Sequence, residues 1–283
     1  MRSCCFAAEI AYDAPMQHHL STGRLALHAW RAALRTVRAW GRIFYLGAVT
    51  GVLLLSPSSY QRAGRQQLLR QVYTDTVPIL GGFTVLAALI CLVITRIVVV
   101  TAASYGLSRY ALEMVIRVLV LELIPLTAAL FVAMRCSIPN GTALALQRAQ
   151  GGLERMQQAG RDPLREAVFP RVLSSIYASL TLAALSCVVA TITAYLAVYG
   201  FNTAGWPVFT RLFGQVFTPP VTVLFILKSI FFSLAIALIP MASGLYEQTA
   251  QRAGQPGQEL NGLTRMFAVL LVIEMASLMG NYY

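Results

Sequence analysis

Along this chain, long apolar runs alternate with short arginine-bearing segments, and the runs are longer than the strands or amphipathic helices of a water-soluble core require. Crossing a hydrocarbon layer about 30 Å thick takes roughly 20 mostly apolar residues. Ile79–Val100, Tyr110–Met134, Val172–Val198 and Phe217–Leu245 meet that length, and a fifth run, Met266–Met279, is shorter and carries Glu274. Ile43–Leu55 is too short to span comfortably and runs into Ser56-Pro57-Ser58-Ser59, so it reads as a re-entrant or interfacial element closed by a turn.

Just upstream, Arg24, His28, Arg31, Arg35, Arg38 and Arg42 recur at steps of four, three, four, three and four, with Leu27, Trp30, Leu34, Val37 and Phe44 on the other face. This is a basic amphipathic helix suited to the cytoplasmic membrane surface, its arginines on anionic headgroups and Trp30 in the interfacial belt. A packing helix of a soluble domain would show the same period, but the apolar run that follows favours the membrane. The expected fold is an all-α integral membrane protein of about five transmembrane helices preceded by this interfacial helix. Residues 1–21 form an N-terminal tail without the order of a cleavable signal peptide, 22–60 the interfacial and re-entrant elements, and 61–283 the spans.

The longest hydrophilic insertion, 135–171, carries a helical pattern of its own. Leu146, Ala149, Leu153 and Met156 make a narrow apolar stripe, and Gln147, Arg148, Gln150, Glu154, Arg155 and Gln157 fill the rest. Asp162 is placed to cap the next span, with Pro163 at its first helical position. A short amphipathic helix between two spans serves either to dock a cytoplasmic ATPase or to connect the spans against the membrane, and spacing alone does not choose.

Composition agrees with the pattern: 57% hydrophobic against 12% charged residues leaves too little charge to coat a soluble globule of 283 residues. The formal charge of +11 comes from 21 arginines and one lysine set against 11 acids, and its placement orients the chain. Nine arginines precede Ile79 and six lie from Arg135 to Arg171, while the intervening loops hold only Arg109 and Arg211. The positive-inside rule then predicts a cytoplasmic N-terminus and, with five spans, an external C-terminus. Arginines that flank spans do not make the basic face a nucleic-acid partner needs. Cys4, Cys5, Cys91, Cys136 and Cys187 form no CxxC pair and fall mostly in apolar runs, His18-His19 has no partners at ligand spacing, and no metal is expected. The sequon Asn140-Gly141-Thr142 lies in a loop assigned to the cytoplasm, where it has no consequence.

Charges within spans are costly and usually functional; here they are Arg96, Glu113, Arg117, Glu122, Lys228 and Glu274. Glu113 and Arg117 stand four apart and can pair with each other. Lys228, in the run Val221–Ile239, needs a partner, and either a structural bridge to Glu122 or a lipid headgroup satisfies it. Arg96, Glu113, Arg117, Glu122 and Lys228 are together candidates for lining a cavity with polar walls for a headgroup and apolar walls for acyl chains. There is no GxxxxGK[ST] phosphate loop and no nucleophile–base constellation, so the chain is not expected to be an enzyme, and any energy has to come from a partner or an ion gradient.

The segments Leu121-Glu122-Leu123-Ile124-Pro125-Leu126-Thr127, then Arg135, Arg161-Asp162-Pro163-Leu164-Arg165 and Phe169-Pro170-Arg171 resemble the motifs of MlaE/YrbE permeases, the membrane subunits of lipid ABC transporters associated with MCE proteins. Leu69–Tyr73, Leu227–Phe232 and Glu274–Asn281 extend the resemblance in the same order. It implies a permease, paired with itself or with a second permease, bound to a cytoplasmic ATPase that holds the ATP and to a periplasmic MCE-domain protein. Such an assembly sits in the bacterial inner membrane and moves phospholipid or a similar lipid across the envelope in support of outer-membrane lipid asymmetry. Glu122 and Lys228 match charged cavity positions, and Gln147, Arg148, Glu154, Arg155, Gln157 and Asp162 fall in or beside the ATPase-coupling element. Leu121, Ala143 and Gln157 depart from the usual arginine and glutamates, and 136–140 replaces a glycine-rich run. These departures leave room for a divergent scaffold subunit, and a secondary transporter of an anionic solute is the remaining alternative.

Overall fold

The computed structural model describes residues 14–56, 62–106, 113–246 and 257–282, and every long element in them is a helix. Within those stretches the side chains of 14–29, 31–33, 35, 62–64, 257–261 and 281–282 lie outside the description, and Arg109, Arg252 and residues 57–59, where a turn was expected, lie outside it altogether. Contacts divide the chain at Leu46 and Gly47 into a unit of residues 1–46 and a unit of residues 47–283.

Helix α1 runs Ala14–Leu55. The expected separation into an interfacial helix and a short re-entrant element is not seen, because 14–55 contains no breaker after Pro15: Gly41, Gly47 and Gly51 lower helix propensity without removing a hydrogen bond. Helical continuity makes Thr36–Leu55 long enough to cross a membrane, at a mean hydropathy of 1.2. Helix α1 therefore supplies a sixth candidate span, the least apolar of the set, since the other five range from 1.7 to 2.7. Of the interfacial residues whose side chains are described, Trp30, Leu34, Val37 and Phe44 are exposed, as are Arg38 and Arg42. Arg24, Arg31 and Arg35 lie on the same helix with side chains outside the description.

In the larger unit α2 spans Arg62–Ser104. The next crossing is built in pieces: a π-helical segment Val115–Leu123, α3 at Ile124–Val132, a second π segment Ala133–Ser137, and α4 at Ile138–Ala149. The expected hydrophilic loop therefore begins later than Arg135, because the second crossing stays helical to Ala149. The amphipathic stripe read as one helix is also divided: α4 ends at Ala149 and α5 occupies Gly152–Gln158. Gly151 is the reason, its φ of 69° being a left-handed conformation open to glycine, so that the chain folds back on itself. Asp162 caps the following segment as predicted, its Oδ1 accepting from Leu164 N at 3.0 Å ahead of a third π segment, Leu164–Val168, and α6 at Phe169–Tyr199. Helix α7, Trp206–Val216, went unpredicted: at 11 residues it is too short to register against the spans around it. Two long helices close the unit, α8 at Pro219–Tyr246 and α9 at Gly257–Tyr282.

The most extensive packing joins α2 to α6, while α8 touches α9, α6, α4 and α3. The approach of α4 to α8 is backbone on backbone. A Cβ added to Gly141 would stand 2.7 Å from the Pro240 carbonyl oxygen, and one added to Gly244 would strike the carbonyl of Gly141. Small residues permit such contact between helices in lipid, where dispersion rather than the hydrophobic effect drives association. Gly244→Ala is accordingly expected to cost about 1–3 kcal/mol through overpacking, read as a lower melting temperature in detergent; unchanged melting would show that α4 and α8 separate freely.

Candidate functional site

Lys228 sits on α8 and is 3% exposed. Its ammonium donates to Glu122 Oε2 on the first π segment, lies 2.9 Å from Glu274 Oε2 on α9, and donates to the Leu121 carbonyl at 3.4 Å. The contact with Glu274 is an ion pair without the alignment of a hydrogen bond. The Phe232 ring, one turn along α8, has its centroid 5.6 Å from the ammonium, within cation–π range. Local sequence explains one of these partners: Pro125 has no N–H, so the Leu121 carbonyl lacks the donor four residues on that an α-helix would provide. The π geometry is a second local feature, rare in proteins and concentrated at functional sites. Along Val115–Leu123 it buries Val115, Ile116, Leu119, Val120 and Leu121 together with Glu122.

An isolated ammonium in an apolar interior costs several kcal/mol, and two carboxylates, a carbonyl and a ring face offset that cost. Three crossings are tied together by this one side chain. A headgroup or a Glu122 bridge were the two alternatives for Lys228, and the structure shows the bridge with Glu274 added. Glu274 was legible as a charge within a span, but the sequence did not place it beside the lysine; its usable signal was that it is the one acid in the final run. Of the remaining candidates, Glu113 and Arg117 pair along their own helix at 3.5 Å, and Arg96 is exposed on α2.

Over the π segment lies α7. Its Phe209 and Val216 are buried in one cluster with Ile116 and Leu121, bordered by Tyr195, Tyr199, Phe213 and Phe217. The Trp206, Phe209, Phe213 and Phe217 rings follow one another at centroid separations of 6.3, 6.3 and 4.3 Å.

The α4–α5 hairpin forms a second candidate region. Glu154, Arg155, Gln157 and Asp162 are exposed, and Leu153 is buried. Arg155 Nη2 donates to the Gln150 carbonyl at 2.5 Å, bracing the turn. Gln147 accepts from Arg171 Nη2 at 3.3 Å and donates to Met156 Sδ at 3.8 Å, while Arg148 is half-buried. Gln67 Nε2 on α2 donates to the Glu166 carbonyl at 3.2 Å, so the arginine-rich starts of α2 and α6 meet at one end of the unit.

An all-α unit with several membrane-length helices and a charged cluster shared among three of them defines a multi-pass membrane protein. The sequence profile of the family described as Permease MlaE matches residues 68–279, and the chain belongs to that family. It is a permease-type membrane subunit rather than a catalytic enzyme. A comparison with curated proteins finds no match.

Lys228→Met is expected to destabilise the protein by about 3–5 kcal/mol, the cost of leaving buried carboxylates unpaired. Adding Glu122→Leu and Glu274→Leu to it is expected to recover most of that loss, because the burial penalty disappears along with the pair. Thermal unfolding in detergent compares the two variants, and equal melting temperatures would rule out the buried clamp.

Proposed function

We propose that this chain is the transmembrane subunit of an ABC transporter that moves phospholipid, or a lipid of similar shape, between the bacterial inner membrane and the outer envelope. The carrying observation is that the family match, 68–279, spans both the charged clamp and the polar hairpin. On this reading a cytoplasmic ATPase binds and hydrolyses ATP and engages the exposed face of α5, with Gln147, Arg148, Glu154, Arg155, Gln157 and Asp162 at or near the contact. A periplasmic MCE-domain protein receives or delivers the lipid at the opposite end, and a second permease, identical or related, completes the membrane part. The clustering of arginine-rich ends around Arg70, Arg161, Arg165 and Arg171 supports a cytoplasmic hairpin. A cytoplasmic N-terminus follows if the basic part of α1 lies on the same surface, with Trp30 and Arg24, Arg31, Arg35, Arg38 and Arg42 in the headgroup layer.

The lipid path runs beside the clamp. Lys228, Glu122 and Glu274 supply polarity within the membrane, and Arg96, Glu113 and Arg117 are the further charges available to a headgroup near the outer leaflet. Acyl chains meet the valines, leucines and phenylalanines of the surrounding helices.

Affinity purification of the tagged chain from its own host, followed by mass spectrometry of proteins and lipids, tests the reading. Recovery of an ATPase, an MCE-domain protein and phospholipid is the expected result; recovery of the chain without ATPase or lipid would overturn it. Glu154→Arg reverses a charge on the exposed face of α5 while leaving Leu153 buried. It is expected to weaken ATPase association about tenfold, or about 1.4 kcal/mol, in a pull-down titration.

A further inference from the structure

A second polar cluster is built on Asp75, a half-buried residue of α2. Its Oδ2 accepts from Gln71 Nε2 at 2.9 Å on the same helix, from Asn140 Nδ2 at 3.0 Å on α4, and from Ser174 Oγ at 2.7 Å on α6. One carboxylate oxygen therefore joins the helix that leads into the hairpin to two membrane-length helices. Arg171, one turn before Ser174, is attracted electrostatically by Asp75. Its Nη2 donates to Gln147 Oε1 at 3.3 Å, and its Nη1 is buried without an acceptor.

Gln147 is in turn tied to α5. It donates to Met156 Sδ at 3.8 Å, and a Cβ on Gly152 would stand only 2.8 Å from its carbonyl oxygen. Helix α5 cannot be displaced without disturbing Gln147. A buried guanidinium nitrogen without a partner is unfavourable, so Arg171 gains by closing on Asp75 whenever Gln147 withdraws. In the observed arrangement Asn140 and Ser174 hold Asp75 while Gln147 holds Arg171; a second arrangement, in which Arg171 would replace Asn140 at the carboxylate and free α4, is chemically open to the same groups. Two discrete arrangements of one element are what energetic coupling between sites requires.

We propose that Asp75, Arg171 and Gln147 form a relay that passes displacement of the α4–α5 hairpin to α2 and α6, Asp75 exchanging Asn140 for Arg171. This rests on the hairpin being the ATPase-docking element proposed above. In this relay Asp75 and Arg171 act as positioning residues.

The intact complex with its ATPase, reconstituted in vesicles of phosphatidylethanolamine and phosphatidylglycerol, allows ATP hydrolysis and movement of a fluorescent phospholipid to be measured together. Asp75→Asn keeps the shape and a hydrogen-bonding oxygen but removes the charge that draws Arg171. Hydrolysis is expected within about twofold of the unaltered complex, and lipid moved per ATP to fall about tenfold, within the span of known allosteric couplings. Gln147→Leu, which cuts the relay at its other end, is expected to lower the same ratio. Lipid moved per ATP within twofold of normal in Asp75→Asn would overturn the relay, even if the melting temperature fell, because a purely structural cluster changes stability without changing that ratio. Should Asp75→Asn fail to fold, Gln147→Leu decides alone: a normal ratio there overturns the proposal. If the unaltered chain itself binds no ATPase, the docking reading fails, and that outcome is distinct from a bound, hydrolysing complex in which Asp75→Asn remains fully coupled.

Discussion

Inside an apolar layer an ammonium ion must be met by opposite charge, and in this chain the meeting joins three crossings distant in sequence. Lys228 on α8 holds Glu122 on the π segment and Glu274 on α9. Loss of the lysine leaves two buried carboxylates uncompensated, so the relative placement of these helices is coupled to a single electrostatic requirement. The surrounding features conform to it. Pro125 leaves the Leu121 carbonyl available to the lysine, Phe232 presents its ring, and α7 covers the outer face of the π segment with aromatic side chains.

Elsewhere the unit is held by contacts of a different kind. The α4–α8 crossing depends on the absence of side chains at Gly141 and Gly244, which lets two backbones touch. At the arginine-rich end, Asp75 gathers hydrogen bonds from three helices, and the α4–α5 hairpin projects an exposed polar face. Charge in the middle, close packing beside it and hydrogen bonding at one end form a graded arrangement. The clamp is held by opposite charges that meet directly, whereas the Asp75 cluster retains a guanidinium nitrogen with no hydrogen-bond acceptor.

Much of this was readable from the order of residues. The apolar runs at 79–100 and 172–198 became helices that extend beyond both predicted ends, because polar residues at span termini continue a helix into the headgroup region, while the run at 217–245 became α8 at 219–246. Asp162 capped where its spacing to Leu164 required, and the linked motifs led to the family that the profile match then showed. The extent of α1, the turn at Gly151 and helix α7 were not read correctly. Each depended on a local choice that hydropathy does not encode: whether glycines interrupt a helix, which of two adjacent glycines turns left-handed, and whether eleven residues between spans fold.

The sequence by itself determined that the chain is all-helical and membrane-embedded, since a bilayer admits few backbone solutions and hydropathy reports directly on them. It also determined which charges are unusual, because a charge within an apolar run is conspicuous without any structure. Only the tertiary structure decided which charges meet. Lys228 and Glu122 are 106 residues apart, Asp75 and Ser174 are 99, and pairing across such separations depends on how helices pack, which no local pattern in the chain records.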